Sequence, residues 1–151
     1  DNRCKLVLEI ADEIKKKVDL PLIVRISAEE FHEGGWSLKD SIYLCKKLEK
    51  VGVDAIHVSS GGNIEKPNYP PKLRPLYQSC YAKKIKNSIK IPVIAVGLIT
   101  SAVEGEKLLN EKYCDFVAYG RELLRSPNFP FYAAREFDKK EIINSSYLRA
   151  F

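Results

Sequence analysis

The sequence predicts an α/β fold with a parallel sheet, specifically four βα units that make up half of a (β/α)8 barrel. Three observations carry this reading. Helix-period and strand-like segments alternate in the order α-βα-βα-βα-βα, which implies parallel strands joined by right-handed crossovers. The strand-like segments are short and apolar, as expected of strands buried in a parallel sheet. The chain has 151 residues, whereas a whole barrel takes about 250. A free-standing four-stranded sheet would leave two unprotected edges, so the half-barrel calls for a missing N-terminal half or a further copy of the chain. The half-barrel is expected over residues 1–137 and a polar C-terminal tail over 138–151.

Each element has its own signal. Asp1 and Asn2 can cap a first helix. Leu6, Val7, Ile10, Ile14 and Val18 then recur at spacings of three and four, defining one helical face, and Pro21 ends it. Leu22 to Ser27 is a β-branched strand, followed by a loop carrying Gly34, Gly35 and Trp36. Leu38, Ile42, Cys45 and Leu48 mark the next helix, closed near Gly52. Asp54 to Ser60 is the second strand. Gly61 to Pro75 holds four prolines, which excludes a helix or a central strand. A loop of that length in a compact domain is functional or disordered. Tyr77, Tyr81 and Ile85 share one face of a third helix. Pro92 to Val96 is the third strand, and Ser101 to Glu104 is a capping-box pattern that starts the following helix. Phe116 to Tyr119 is the fourth strand, and Asn128 to Phe137 is helical.

Composition excludes several functions. Hydrophobic residues make up 45% and charged residues 30% of the chain, so it is globular. The net charge is +5, but the lysines are spread over helix faces and no basic run is interleaved with aromatics, which argues against nucleic acid. Cys4, Cys45, Cys80 and Cys114 are far apart and form no CxxC pair, which argues against a metal site and for a reducing, cytoplasmic setting. No apolar run approaches the ~20 residues of a membrane span. The chain contains no Met and opens directly in a helical pattern, so residue 1 is not expected to be the natural start of the gene product.

The third and fourth strands each run into a glycine, Gly97 and Gly120, where the chain turns toward a helix. Glycine lets backbone approach a ligand closely, and helix N-termini favour anions. Arg121 adds a fixed charge with a forked donor set. Two adjacent glycine-tipped strand ends and an arginine make a phosphate cradle, and barrels place such sites after their last two strands. Ser60 and Gly61 lie at the tip of the second strand, as strand-end turn or as part of the same face. His57, within a strand, reads as a packed core histidine, and His32 as a loop residue. Trp36 and Tyr69 cap a site or cover the core.

Val24 to Ser27, Asp54 to Gly62, Ala95 to Thr100 and Gly120 to Pro127, in that order and at fitting separations, resemble the C-terminal half of the old yellow enzyme family. The nearest branch is the thermophilic-like bacterial NADPH dehydrogenases, or ene-reductases. The resemblance covers nearly the whole chain. It implies a (β/α)8 barrel holding FMN at the C-terminal strand ends, with NADPH as reductant and an activated alkene as substrate. It also implies roles for single residues. Arg3 matches an arginine that contacts the pyrimidine side of the flavin ring. Val96, Gly97 and Leu98 match the loop whose backbone approaches the FMN phosphate, and Gly120 and Arg121 match the second phosphate segment. Arg149, within Tyr147 to Phe151, matches an arginine that reaches a neighbouring subunit's substrate site in a homo-oligomer, although Leu148 departs from the acidic residue expected there. The family's substrate-anchoring histidine pair, proton-donating tyrosine and flavin-tuning cysteine belong to the N-terminal half. No catalytic residue is therefore expected in this chain, which is read as incomplete alone. The alternative is a non-catalytic half-barrel that binds flavin or phosphate, or associates with itself.

Overall fold

The computed structural model describes residues 2–150. The expected Asp1 cap and the final residue, Phe151, lie outside them. Four parallel strands, β1 (Ile23–Ser27), β2 (Ala55–Ser59), β3 (Val93–Ala95) and β4 (Phe116–Val117), form one sheet in sequence order. The helices are α1 (Lys5–Lys17), α2 (Leu38–Val51), α3 (Ser79–Lys86), α4 (Ala102–Asn110), α5 (Arg121–Arg125) and α6 (Phe129–Glu136). Sequence order with parallel pairing is the arrangement of consecutive βα units in a barrel wall.

The two faces of the sheet differ. Val24, Ile56 and Val93 are in register, as are Ile26, Val58, Ala95 and Val117. These rows face the helices, and Ile56, Val58, Val93 and Ala95 are fully buried there with Leu48 and Ile85. The alternate row, Arg25, His57, Ile94 and Phe116, lies on the other face. Among the described residues no helix covers that face: Ile23 and Phe116 are 55% and 58% exposed. Parallel sheets are normally buried on both sides, so the open face is the wall of an interior that four strands do not enclose. His57 therefore belongs to this open face and not to the core. Its Nε2 has no hydrogen-bond partner, and burial, aided by the charge of Arg25, pushes its pKa down.

The helix starts follow their local sequences. Ser37 and Ser101 both form complete capping boxes, with Asp40 and Glu104 as the reciprocal partners. Gly52 closes α2 in a left-handed conformation at φ 96°. Three expectations at helices are corrected. Asn2 lies in a 3-10 turn, Asn2–Cys4, and α1 begins after Cys4 without a side-chain cap. Helix α1 has two apolar stripes: Cys4, Val7, Leu8 and Ala11 enter the core, while Leu6, Ile10 and Val18 stay exposed and with Ile14 line a surface groove. The single face expected for Leu6, Val7, Ile10, Ile14 and Val18 is therefore split, with Val7 turned to the core and the others away from it, because spacing does not say which neighbour covers a stripe. Tyr77 precedes α3 in a turn. The tail is docked: Ile143 is buried, and the Tyr147 ring lies 5.6 Å from that of Phe131.

Two aspartates tie the halves of this unit in the same way. Asp54, just before β2, accepts the Leu22 N–H at 2.7 Å and the Lys15 ammonium at 2.9 Å. Asp115, just before β4, accepts the Val93 N–H at 2.9 Å and pairs with Lys86. Each carboxylate thus joins a strand entry to the preceding helix. The Leu22 N–H and then Lys15 hold Asp54 below the usual carboxylate range. At Asp115 burial pushes the pKa up, but Lys86 and the Val93 N–H outweigh it and the net shift is downward. Depressed folded-state pKa values stabilise above the unfolded value, about 3.9 for Asp, and that stability is lost as pH falls through the folded values. The Asp54→Asn, Asp115→Asn double variant is expected to lose part of the fall in stability below about pH 4. Denaturant melts across pH check this. An unchanged acid slope would remove both carboxylates from the account.

Candidate functional site

The sheet's C-terminal end carries a cavity of about 370 Å³. It runs from Arg25 on β1 and Ser59 on β2, past Tyr77 and Gln78, to the segment Val96–Thr100 after β3 and to Gly120 and Arg121 after β4. Three strand spacings of about 4.8 Å separate its ends, roughly 14 Å.

At the β3 end, Gly97 has φ 123°, a region that side-chain-bearing residues rarely adopt. A Cβ there would lie 2.8 Å from Gln78 Oε1. Leu98 follows at φ 49°, so two successive left-handed residues fold the strand end sharply back. The Leu76 N–H donates to Leu98 O at 3.4 Å, fastening this turn to the long proline-rich loop. At the β4 end, a Cβ on Gly120 would meet no atom within 4 Å, so the cavity is open there. Arg121 lines the cavity beside Gly120, and Glu122 and Arg125 complete that wall. Glu122 is held by Arg125 at 2.5 Å. Its charge is thereby neutralised, leaving Arg121 to set the potential.

Helix ends contribute less than the sequence suggested. The N-terminus of α4 is partly taken up by its own cap: the Glu104 N–H donates to Ser101 Oγ, and the Glu104 carboxylate sits at this end, accepting the N–H groups of Thr100 and Ser101. Helix α5 has five residues, too few for much of a dipole. The positive charge at this end therefore comes from the arginines, and the close approach of backbone from the glycine turns.

Of the residues singled out from sequence, Val96, Gly97, Leu98, Gly120 and Arg121 line this one cavity. Arg3 does not. Its guanidinium bonds Asp40 at 3.1 Å and stacks 5.1 Å from the centre of the Trp36 ring, which fastens the start of α1 to α2. Arg25 is the arginine that the structure places at the β1 end of the cavity. Sequence reasoning missed it, although a charge inside a β-branched run that alternates between faces was a signal for an opening. Gln78 and Arg125 were also missed and carry no local signal. Arg149 is exposed in the terminal 3-10 turn, Ser145–Ala150, and is not part of the cavity wall.

The remaining candidates are structural here. Ser60 is buried with its hydroxyl unpaired. Gly61 sits under the Phe31 ring, and its N–H donates to Glu29 O at 2.7 Å. The Trp36 indole N–H donates to Ser41 at 2.6 Å, and the Tyr69 hydroxyl donates to the His32 carbonyl at 3.2 Å. The Cys45 thiol is fully buried and pushed up to about 12 by that burial, so it is chemically quiet.

A family model described as the NADH:flavin oxidoreductase / NADH oxidase family matches residues 1–140. The chain is 41% identical over 138 residues to a protein of Geobacillus sp. (strain WCH70) described as an NADPH dehydrogenase, covering 90% of this chain and 39% of that one. It is also 41% identical over 150 residues to an NADPH dehydrogenase of Halalkalibacterium halodurans (strain ATCC BAA-125 / DSM 18197 / FERM 7344 / JCM 9153 / C-125), covering 99% and 44%. The chain thus spans about two fifths of the length of the curated relatives it matches. Among solved structures it superposes on a 2-naphthoyl-CoA reductase in complex with 2-naphthoyl-CoA with a TM-score of 0.80 and 23% identity, covering 89% of this chain and 21% of that one, a likeness of fold. The chain belongs to the NADH:flavin oxidoreductase / NADH oxidase family, whose cofactor is FMN.

Proposed function

We propose that this chain is the cofactor-anchoring C-terminal half of an NADPH dehydrogenase that reduces activated alkenes, and that its cavity takes FMN by the phosphate. The observation that carries the reading is the convergence of the Gly97 and Gly120 turns with Arg121 on one opening at adjacent strand ends. The residues suit FMN. The Gly97 turn leaves no room for a side chain, and the β4 end is open and cationic. A second arginine, Arg25, stands at the β1 end. When bound, FMN supplies hydride transfer, from NADPH and on to an activated carbon–carbon double bond.

The chain's own residues divide the work. Arg121 offers a fork of N–H donors to a phosphate dianion. The left-handed Gly97–Leu98 turn brings backbone close to the same group. Arg25 places a fixed positive charge at the ring end, where reduction of a flavin puts negative charge, and so favours the reduced form. Arg3, assigned to the ring by resemblance, instead holds α1 to α2.

The rest of the barrel is proposed to close on the open sheet face and on the two flanks. One flank is the exposed α1 stripe of Leu6, Ile10 and Val18. The other is an apolar groove of about 410 Å³ beside β4, lined by Phe116, Leu123, Phe129 and Phe137. Contiguous apolar surface at both ends of a half-barrel is where the first and last units of the other half would pack. Residues that touch the alkene would come from that half, and Arg149 would serve a neighbouring copy. In this reading the protein acts on small molecules as a homo-oligomer in the cytoplasm.

The test combines this chain with the part of the Geobacillus protein that it does not match, adding FMN, NADPH and an enone. NADPH oxidation coupled to saturation of the double bond is expected only with both pieces. In the same mixture Arg25→Ala should slow flavin reduction at least tenfold, while Arg3→Ala should leave it near wild type. An assembled, FMN-loaded complex that oxidises no NADPH contradicts the proposal, and equal effects of the two arginines would reject the role given to Arg25.

A further inference from the structure

Residues 61–75 leave β2 at its C-terminal end, the end that carries the cavity, and lead to Tyr77, which lines it. This loop is braced along its length. The Glu33 N–H donates to Asn68 Oδ1 at 2.9 Å, and the Tyr69 N–H donates to Phe31 O at 3.2 Å. At the far end the Tyr77 N–H donates to Arg74 O at 3.2 Å, and the Leu76 N–H ties the loop to Leu98. Pro67, Pro70, Pro71 and Pro75 fix φ at four positions between. The loop carries three cations, Lys66, Lys72 and Arg74. All are exposed, and among the described residues none makes a hydrogen bond or ion pair through its side chain. Lysines elsewhere differ: Lys15, Lys17 and Lys86 are engaged by carboxylates. Within the loop Lys66 follows Glu65, and Glu29 and Glu33 act on Tyr69. The positive end of the loop is therefore Lys72 and Arg74, beside Tyr77. Neither lines the cavity itself, so the anion they suit lies beyond its rim.

We propose that Lys72 and Arg74 bind the 2′-phosphate of NADPH and so select NADPH over NADH. The inference rests on the reading of this chain as the flavin-anchoring half of an NADPH dehydrogenase. The two reductants share the nicotinamide that delivers hydride. They differ by one phosphate dianion on the adenosine ribose, remote from the reacting carbon. A group that tells them apart has to be cationic, free of internal partners and outside the reaction site, and Lys72 and Arg74 meet all three conditions. Arg74 offers a fork of donors to the phosphate and Lys72 a point charge. The braced backbone reduces the ordering that binding would otherwise require. Both side chains stay in contact with water, so their effect on affinity is modest. They set specificity and take no part in the chemical step.

The test loads the full chain with FMN, so that the phosphate cradle is filled, and titrates it with 2′,5′-ADP and with 5′-ADP. The first carries the 2′-phosphate, and the second carries similar charge at the 5′ end alone. 2′,5′-ADP is expected to bind about tenfold more tightly, an advantage that shrinks as salt rises. The Lys72→Ala, Arg74→Ala double variant should erase the advantage and leave FMN affinity at the wild-type value. Equal binding of the two nucleotides by the wild type overturns the proposal, because the loop would then attract any polyanion. A preference that survives the double variant also overturns it, because the 2′-phosphate would then sit elsewhere. An FMN-loaded chain that binds neither nucleotide sinks this inference alone. A folded chain that binds no FMN sinks the flavin-site reading and this inference with it.

Discussion

Arg121→Ala is expected to weaken FMN and inorganic phosphate together, each by roughly 10- to 150-fold, the range of a charge-assisted contact worth about 1.5–3 kcal/mol. The argument is electrostatic. Arg121 lines the cavity beside Gly120, where no side chain intervenes. The neighbouring carboxylate, Glu122, is already engaged by Arg125, so the Arg121 charge is directed at the ligand. Removing it takes away the charge without relaxing a local ion pair, and the loss should appear in binding, with little change in stability. Arg121→Lys should recover part of the affinity, because a point charge replaces the fork of donors without reproducing its geometry. Fluorescence titration with FMN, and its displacement by phosphate, read both effects. If Arg121→Ala weakened FMN but left phosphate untouched, the phosphate would sit elsewhere in the cavity.

Gly97→Ala should damage both fold and site. At φ 123° an alanine is strained, and its methyl would fall 2.8–2.9 Å from the Gln78 carboxamide. A surface glutamine would swing aside. Gln78 cannot do so freely, because Ser60 and Tyr77 hold its amide in a buried setting. Overpacking and backbone strain together are expected to cost about 1–3 kcal/mol of stability, and FMN affinity should fall more than tenfold at temperatures where the variant stays folded. Gly120→Ala is the contrasting case. Its Cβ meets nothing within 4 Å, and its φ of −101° lies outside the left-handed region that strains Gly97→Ala, so the loss of stability should be the smaller of the two. Thermal melts paired with FMN titrations separate the two. Equal stability of both variants would mean that the Gly97 turn is not held as described.

Much of this was legible in the sequence because the signals were local. Pro92 and the β-branched residues after it predict β3, and Ser101 with Glu104 predicts the start of α4 to the residue. Gly97 and Gly120 were legible as turns at the strand ends, where the cavity lies, because each ends an apolar strand. What was not legible depends on registry across the sheet or on contacts distant in sequence. Arg25 sits inside one of the recognised motifs, yet its direction follows only once Arg25 is known to pair with His57 on the open face. Arg3 looked like a cofactor ligand, and only the structure shows Asp40 and Trp36 engaging it. Gln78 was invisible because its place against Gly97 depends on a contact distant in sequence. The two stripes of α1 were not separable in the sequence because periodicity identifies an apolar face without naming what covers it.

The central claim is that this chain alone builds the phosphate end of a flavin site, since all the cavity residues named here belong to it. The most direct measurement is the affinity of the chain for FMN relative to riboflavin, which differ only in the phosphate. FMN is predicted to bind at least tenfold more tightly, with the advantage abolished by excess inorganic phosphate. Equal affinity for the two flavins, or no binding of either by a demonstrably folded chain, would contradict the claim.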